Sequence, residues 1–289
     1  MLLDAATCAA LLPDRPADGH KGSSGTLVCV CGSLDYAGAA LLCGLGAARA
    51  GVGLVCLALP ASLQPMLAGR VPELVTLALP EAAGEVDARE AGHALEAKSP
   101  DALVVGCGLS ETDGYRELVL GLIAREGPPM VMDGGALNLL ARSGRWWASS
   151  QRDCVLTPHP GEFQRIMGTP AGTTDDERAA SATAAAQRFG QVVVLKGART
   201  VIATPNGQVA LAPFANAALA TAGSGDVLAG TIGSLMAQRL TPFDAARLGV
   251  WLHGRAGQRI SERLGDSGLI ASDLPYEIAV ARHELAALR

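Results

Sequence analysis

The sequence predicts an α/β protein whose mainly parallel central sheet is covered by helices on both faces. Short apolar runs alternate with longer amphipathic runs, which is the pattern of repeated strand–helix units. Runs such as Ala102–Val105 are apolar at every position, as expected for a strand that is buried on both faces. No linker, low-complexity tract or internal repeat divides the chain, so we expect one domain over residues 1–289.

Each predicted element rests on its own run of residues. The short apolar runs predict strands at 26–31, 54–58, 102–105, 130–132, 154–156, 192–195, 200–203 and 209–211. The longer runs predict helices at 38–50, 85–97, 115–125, 162–167, 175–189, 226–238, 242–263 and 273–288. Thr174 and Glu177 form a capping-box pattern that starts the helix at 175. The turn signal Pro205-Asn206-Gly207 predicts a strand pair within 196–211, and the chain beyond it is nearly all helix.

The composition argues against several classes of function. Hydrophobic residues make up 49% of the chain, which is enough for a buried core. The net charge is −5 and no long basic run occurs, so we expect no nucleic-acid partner. The seven cysteines lie mostly in apolar runs without a Cys-x-x-Cys pair, which favours a reducing compartment without a bound metal. The chain start lacks a basic region, and no apolar run reaches the about 18 residues that span a bilayer, so we expect a cytoplasmic protein with no membrane partner.

The segment Thr-Ala-Gly-Ser-Gly-Asp-Val-Leu-Ala-Gly at 221–230 is the most informative motif. Its glycines let the backbone approach a ligand, and the helix that follows points its positive end at the same place, which together predict an anion site. Asp226 would repel a phosphate there unless it takes a proton from an attacking hydroxyl group. The alternative is a helix cap, but a cap does not need Gly223, Ser224 and Gly225 in front of it.

Common nucleotide and hydrolase signatures are missing from the sequence. The Walker pattern is absent, and the glycines at 44 and 46 lie inside a predicted helix without the Rossmann spacing. No His/Cys cluster has zinc spacing, and no Gly-x-Ser-x-Gly elbow occurs. A nucleotide, if bound, is therefore expected to bind by another architecture.

Further candidates follow the predicted strands, at the edge where ligands bind in open α/β sheets. Two of them are glycine turns that could equally be structural: Gly32-Ser33 with Gly38-Ala39, and 106–110 with its two glycines. Asp133 could bind a hydroxyl group or an ion-bound water, although an N-cap is the safer interpretation.

Two more candidates carry charged side chains. His159 lies between two prolines in a loop that we expect to be rigid, and Glu162 could touch a magnesium-bound water or favour the start of its helix. Lys196 and Arg199 flank a Gly-Ala turn after a buried strand and could hold phosphates, although a solvent-exposed basic turn is the alternative.

These pieces, in this order, resemble the ribokinase-like superfamily and most closely its ADP-dependent NAD(P)H-hydrate dehydratase family. The resemblance covers almost the whole chain. The residues that carry it are His20-Lys21-Gly22 with Gly25, Gly32-Ser33, Gly38-Ala39, Gly106-x-Gly108, Asp133 with Leu137-Asn138, Thr157-Pro158-His159-Pro160-Gly161-Glu162, Lys196-Gly197-x-x-Thr200 and Gly223-x-Gly225-Asp226-Val227-Leu228-Ala229-Gly230.

The resemblance implies a three-layer αβα fold without a separate lid domain and a hydro-lyase activity. The substrate would be NADHX or NADPHX in the 6S form, the products of hydration of the nicotinamide ring of NADH and NADPH. ADP (ATP in eukaryotic members) would phosphorylate the ring hydroxyl, and loss of phosphate would restore the reduced cofactor. AMP and phosphate would be released, Mg²⁺ would assist, and a homo-oligomer, specifically a tetramer, is expected.

The resemblance also implies a role for each candidate residue. Asp226 would be the general base, and the amides of Gly223, Ser224 and Gly225 would stabilise the transferred phosphoryl group. ADP would be bound by Lys196, Gly197, Ala198, Arg199, Thr200 and Gly225. The hydrated cofactor would be bound by Ala39, Gly108, His159 and Asp226.

The sequence departs from the family pattern at a few positions. The family commonly has Asp-Ala-Asp where this chain has Asp133-Gly134-Gly135, so the second carboxylate is missing at this position. Ser224 replaces a common threonine and Cys107 a common proline, which are mild changes. Many bacterial relatives carry an N-terminal epimerase domain, and epimerase activity is not expected here because the chain starts at the dehydratase-like part.

Two other functions stay open at this point. A kinase of the same fold that acts on a thiazole, pyrimidine or pyridoxal alcohol is the main alternative, which the Thr-Pro-His-Pro-Gly-Glu loop disfavours. A non-catalytic nucleotide-binding regulator is the other, and it predicts that Asp226→Asn leaves function intact. The Ala/Leu-rich segment 244–252 is a candidate for packing between subunits.

Overall fold

A nine-stranded sheet runs through the protein, in a computed structural model that describes residues 1–15 and 17–289. Its spatial order is β11-β10-β9-β8-β7-β6-β1-β2-β3. Seven strands are parallel, and β10 and β11 are antiparallel at one edge. The strands are β1 Thr26–Val30, β2 Leu54–Pro60, β3 Val75–Leu79, β4 Glu81–Ala82, β5 Glu85–Val86, β6 Ala102–Val105, β7 Met130–Met132, β8 Cys154–Leu156, β9 Val192–Leu195, β10 Val201–Ala203 and β11 Val209–Leu211.

Helices cover both faces of this sheet, which confirms the predicted three-layer fold. They are α1 Ala5–Ala10, α2 Ala37–Ala50, α3 Gln64–Leu67, α4 Ala88–Glu96, α5 Asp113–Ile123, α6 Gly134–Ala141, α7 Pro160–Met167, α8 Asp175–Phe189, α9 Ser224–Ala237, α10 Pro242–Leu264 and α11 Leu274–Ala286. Outside the large sheet, the described strands form only the β4–β5 pair, and no separate lid domain is seen among them.

The core has two halves because successive side chains of a strand point to opposite faces. Val104 of β6 belongs to the half of the core that contains α2, α9, α10 and α11, whereas Leu103 and Val105 belong to the half that contains α4 to α8. All four residues of β6 are buried, as the sequence predicts for a strand covered on both sides. One continuous sheet is what the single-domain prediction requires, and that prediction stays a prediction.

Several local predictions are confirmed. Helix α8 has the predicted bounds, and the Thr174 hydroxyl accepts from the Glu177 amide while the Glu177 carboxylate accepts from the Thr174 amide. Strands β10 and β11 form the expected antiparallel pair around 205–207. No described helix is long and apolar enough to cross a lipid bilayer.

Other predictions are wrong in extent. The helix predicted from 85 begins at Ala88, because Glu85–Val86 pairs with Glu81–Ala82 and the Asp87 side chain caps the helix. Helix α9 begins at Ser224 instead of 226, and α7 at Pro160 instead of 162, because proline is well suited to the first turn of a helix. Helices α1, α3 and α6 and strands β3 to β5 were not predicted.

The segment 244–252 is not available for subunit packing in the way that its composition suggests. Its alanines and leucines, Ala245, Ala246, Leu248 and Leu252, are fully buried in the chain's own core. The helix α10 turns this apolar face towards α9 and α11, so any contact between subunits must use other residues.

Candidate active site at the carboxyl edge of the sheet

A cavity of about 720 Å³ lies where β7, β8 and β9 end and where α9 begins. One wall is formed by Asp133, His159, Glu162 and Lys196 with the residues that follow Lys196. The opposite wall is formed by 215–221 and the first turn of α9. The topology places the cavity outside the carboxyl ends of parallel strands, where ligands of α/β proteins bind.

The N-terminus of α9 offers main-chain donors to this cavity. Gly223 is the N-cap with φ 87°, a left-handed conformation that glycine adopts without strain, and no side chain caps the helix. The amides of Gly225 and Asp226 have no acceptor among the described residues. The Ser224 amide donates to the Thr221 carbonyl at 3.4 Å and the Ser224 hydroxyl donates to the Leu219 carbonyl at 2.8 Å, so the predicted role of the Ser224 amide towards a phosphoryl group is not supported. The helix start is therefore a site for an anion.

Asp226 lies in the first turn of α9 and lines the cavity, but its side chain does not cap the helix. Burial, reinforced by the negative charge of Asp133, raises the pKa of Asp226 to about 7. A carboxyl group with this pKa gains and loses its proton near neutral pH, as a general base must. The capping alternative is therefore wrong, and Asp226 has the properties expected of a base.

Lys196 is held in place by two carboxylates. Its Nζ donates to Asp133 Oδ1 at 2.6 Å and lies 3.8 Å from Glu162 Oε2. Burial lowers the pKa of Lys196, but the attraction of Asp133 and Glu162 outweighs burial, and the net pKa is raised. A Cβ added at Gly225 would lie 3.2 Å from Nζ, so the ammonium group sits directly against the start of α9. Lys196 thus adds a fixed positive charge to the anion site.

Asp133 occupies the N-cap position of α6, yet its side chain makes no capping hydrogen bond. Instead, Asp133 Oδ1 accepts from the Thr157 hydroxyl at 2.6 Å and from Lys196. The N-cap interpretation of this side chain is wrong, because a buried carboxylate beside a lysine is better satisfied by that charge. Gly135, where the family commonly has a second aspartate, leaves no room for one, since an added Cβ would lie 2.5 Å from the Leu109 carbonyl oxygen.

His159 and Glu162 form a capping box at the start of α7. His159 Nδ1 accepts from the Gly161 amide at 3.0 Å, and Glu162 Oε2 accepts from the His159 amide at 2.8 Å. Burial and the charge of Lys196 lower the pKa of His159, so the ring is neutral at pH 7 and half-exposed to the cavity. Burial raises the pKa of Glu162. Of the two roles that the sequence left open for Glu162, the one at the helix start is confirmed, and both residues also line the cavity.

Three predicted site residues do not line this cavity. Arg199 forms a salt bridge with Asp175 at 3.0 Å and is half-exposed, whereas Gly197, Ala198 and Thr200 line the cavity. Ala39 and Gly108 contact each other, because a Cβ at Gly108 would lie 2.7 Å from that of Ala39. The phosphate role of Arg199 is therefore not supported by its placement, and Ala39 and Gly108 form a separate close approach between the first turn of α2 and the turn after β6.

Two features of the cavity were not predicted from the sequence. His253 of α10 is buried with its Nε2 2.9 Å from the Ser224 carbonyl oxygen, and burial lowers its pKa to about 4. A single histidine in an amphipathic helix does not predict a hydrogen bond to the backbone of another helix. The short 3₁₀ helix Ala217–Leu219, capped by Asn216, supplies much of the apolar wall. Neither feature was predicted.

Comparisons with known proteins agree with this architecture. A family model described as NAD(P)H-hydrate dehydratase matches residues 27–279. A bifunctional NAD(P)H-hydrate repair enzyme from Moorella thermoacetica is 41% identical over 98% of this chain and 55% of its own length. The chain thus spans about half the length of the bifunctional relatives that it matches. An ADP-dependent (S)-NAD(P)H-hydrate dehydratase from Bacillus subtilis is 35% identical over 92% of this chain and 91% of its own length.

Solved structures of known proteins also resemble this chain. A crystal structure of an ADP/ATP-dependent NAD(P)H-hydrate dehydratase from Bacillus subtilis, co-crystallised with ATP/Mg²⁺, has a TM-score of 0.85 and 32% identity, covering 98% of this chain and 97% of that one. A hydroxyethylthiazole kinase from Pyrococcus horikoshii, with a TM-score of 0.60, 15% identity and coverage of 97% and 92%, shares the fold alone. By the family model and by these relatives, the chain belongs to the NAD(P)H-hydrate dehydratase family.

Proposed function

We propose that this chain is a hydro-lyase that uses ADP to dehydrate NADHX and NADPHX back to NADH and NADPH. The observation that carries the proposal is the placement of Asp226, a base with a pKa of about 7, beside two unpaired helix amides and Lys196 in one cavity. Family membership supports the choice of substrate, since dehydratase relatives match along most of their length.

The first step would be transfer of a phosphoryl group to the ring hydroxyl. The hydroxyl oxygen attacks the β-phosphorus of ADP, Asp226 takes the hydroxyl proton, and AMP leaves. The amides of Gly225 and Asp226 donate to the oxygens of the transferred group, which gain negative charge in the transition state. Lys196 places its positive charge at the same point, where the carboxylate of Asp133 keeps it from moving away.

The second step would be an elimination that restores the reduced cofactor. The phosphate leaves with the electrons of the carbon–oxygen bond, and a proton leaves the adjacent ring carbon as the double bond forms. The departing phosphate is the same anion that the start of α9 binds, so one set of donors serves both steps. The apolar wall at 217–219 excludes water from one side of the cavity.

Magnesium is consistent with the donor set of this cavity. Carboxylate oxygens are ligands that Mg²⁺ prefers, and Asp226 and Glu162 present theirs to the cavity beside the phosphate site. Glu162 would reach the ion through a bound water, which leaves Asp226 free to act as the base, and the ion would neutralise charge on the nucleotide phosphates. Asp133 is less suited, because Thr157 and Lys196 already occupy Oδ1.

The test is an absorbance assay with the purified chain. Hydrated NADH in the 6S form is mixed with ADP, and in parallel with ATP, and the return of the reduced-nicotinamide absorbance is followed together with AMP release. We expect a nucleotide-dependent return that Asp226→Asn abolishes and the exposed-site control Asp266→Asn leaves unchanged. No return with either nucleotide contradicts the proposal, and phosphorylation of hydroxyethylthiazole by ATP would favour the kinase alternative.

The assembly and location of the protein are proposed on the family resemblance alone. We infer a homotetramer in the cytoplasm, and size-exclusion chromatography with light scattering checks the first part. A monomer at micromolar concentration would contradict it.

A further inference from the structure

Three buried thiols meet behind the cavity. The Sγ atoms of Cys31, Cys43 and Cys107 all lie within 4.8 Å of one another, and each residue is 0% exposed. We call these three residues the thiol cluster. None of them has a part in the proposed reaction, and no motif in the sequence groups them.

The fold brings the cluster together from three elements. Cys31 directly follows β1, and Cys107 follows the neighbouring parallel strand β6. The Gly32 amide donates to the Cys107 carbonyl at 2.8 Å, which fixes the two chain segments side by side. Cys43 comes from α2, which packs across the same sheet face. The positions are thus fixed by backbone structure and not by the thiols themselves.

The separation suits a thiophilic cation. A metal–sulfur distance of about 2.3 Å places three thiolates around one ion about 4 Å apart. The present separations are within an ångström of that arrangement, so a cation would need only small side-chain movements. Thiolates select soft ions such as Zn²⁺, Cd²⁺ and Cu⁺ over the hard ion Mg²⁺. Scattered buried cysteines that merely fill space, such as Cys8 and Cys154, form no such group in the described residues.

Charge and access also favour a cation here. Cys107 Sγ lies 3.7 Å from Asp133 Oδ2, and the donor atoms of Cys107, Asp133 and Asp226 lie within 4.8 Å of one another. Both aspartates line the cavity, and their carboxylate oxygens lie between it and the Cys107 sulfur, within 4.8 Å of that atom. Asp133, Asp226 and Glu162 outnumber the two positive charges of Lys196 and Arg165, which leaves this region negative when all are ionised.

We propose that Cys31, Cys43 and Cys107 form a binding site for one soft, thiophilic metal ion, which enters from the cavity through Asp133 and Asp226. Each thiol that ligates the ion releases its proton to solvent. The proposal does not depend on the dehydratase reaction, because binding is measured without substrate or nucleotide.

Cadmium titration of the full chain tests the site. The protein is reduced with a phosphine, and Cd²⁺ is added while the ultraviolet sulfur-to-cadmium charge-transfer band is recorded. We expect a band that saturates at one ion per chain in the wild type and in the matched controls Cys8→Ala and Cys154→Ala. The band should be lost in Cys43→Ala and in Cys107→Ala.

Two results would overturn the site: no charge-transfer band in the wild type, or an undiminished band in both cluster variants. If an alanine variant fails to fold, Cys43→Ser and Cys107→Ser carry the same test with a side chain of similar size. The melting temperature of the wild type gives a second measurement, since a ligand that binds the folded state raises it. No rise at saturating Cd²⁺ contradicts the proposal independently of any variant.

Discussion

Replacing Asp226 by asparagine should stabilise the protein while abolishing its activity. Asparagine has nearly the same shape but cannot ionise, so it removes the cost of holding a buried carboxylate next to Asp133. The same change removes the proposed base, and loss of general-base catalysis lowers the rate by about 10²–10⁴-fold. A residue whose role was structural would show the opposite effect on stability.

The gain in stability follows from the pKa of Asp226. That pKa is about 7 in the fold against an ordinary value of 3.8, and at 1.36 kcal/mol per pKa unit the difference is on the order of 4 kcal/mol. Because the folded state has the higher pKa, it binds a proton that the unfolded chain has lost between about pH 4 and pH 7. The stability that the proton provides is complete below about pH 4 and is lost as the pH rises through about 7.

Urea unfolding of Asp226→Asn and wild type at several pH values measures this effect. We expect the variant to be more stable at pH 8 by a few kcal/mol, and the two proteins to be equally stable near pH 4. The exposed control Asp266→Asn should match the wild type throughout. An Asp226→Asn protein that is less stable than wild type at pH 8 would refute the assignment of a raised pKa to this carboxyl group.

Substitutions at three further positions probe the rest of the site. Lys196→Met leaves Asp133 buried without its ion-pair partner and should lower the free energy of unfolding by about 3–5 kcal/mol in urea; an unchanged midpoint would show that the pair is not formed. His159→Ala removes the N-cap acceptor of α7 and should cost about 1 kcal/mol, whereas His159→Asn, which keeps an acceptor, should cost less; equal melting temperatures for both variants would contradict the cap. Gly225→Ala places a methyl group 3.2 Å from Lys196 Nζ and should weaken ADP binding in calorimetry by about tenfold, the equivalent of one hydrogen bond; unchanged ADP affinity would move the phosphate site away from this helix start.

The elements that were predicted correctly from the sequence are those determined by interactions between residues close together in the chain. Helix α8 begins where Thr174 and Glu177 satisfy each other's amides, an interaction within four residues that the sequence displays directly. The β10–β11 pair is similarly determined by the turn at 205–207. The fully apolar runs predicted the buried parallel strands correctly, because a strand covered on both faces has no polar side.

The features of the site that were not predicted depend on contacts between residues far apart in the sequence. Lys196 and Asp133 are 63 residues apart, and only the parallel arrangement of β7 and β9 brings them together. Once they pair, Asp133 is no longer available as a helix cap, which overturns the local interpretation. His253 reaches the start of α9 from a helix whose pattern shows only amphipathicity. Strand β3 is an edge strand with mixed exposure, although its residues Val75-Thr76-Leu77-Ala78-Leu79 are as apolar as those of the strands that were predicted.

The placement of Ala39, Gly108 and Arg199 shows the limit of a motif. Each lies in a segment that the family resemblance marks as functional, yet Ala39 and Gly108 pack against each other and Arg199 pairs with Asp175. The motif indicates that position 108 must be glycine, and φ is +66° there. The motif alone does not show whether glycine is required by the backbone conformation or by a bound ligand. Their proposed binding roles stay predictions.

The pH dependence of kcat/KM tests most directly whether Asp226 is the base. With hydrated NADH and saturating ADP, we expect kcat/KM for AMP release to rise about tenfold per pH unit below about 7 and to level off above it, because only the ionised carboxylate accepts the proton. A profile that stays flat from acidic to alkaline pH, with chemistry limiting throughout, would contradict the assignment.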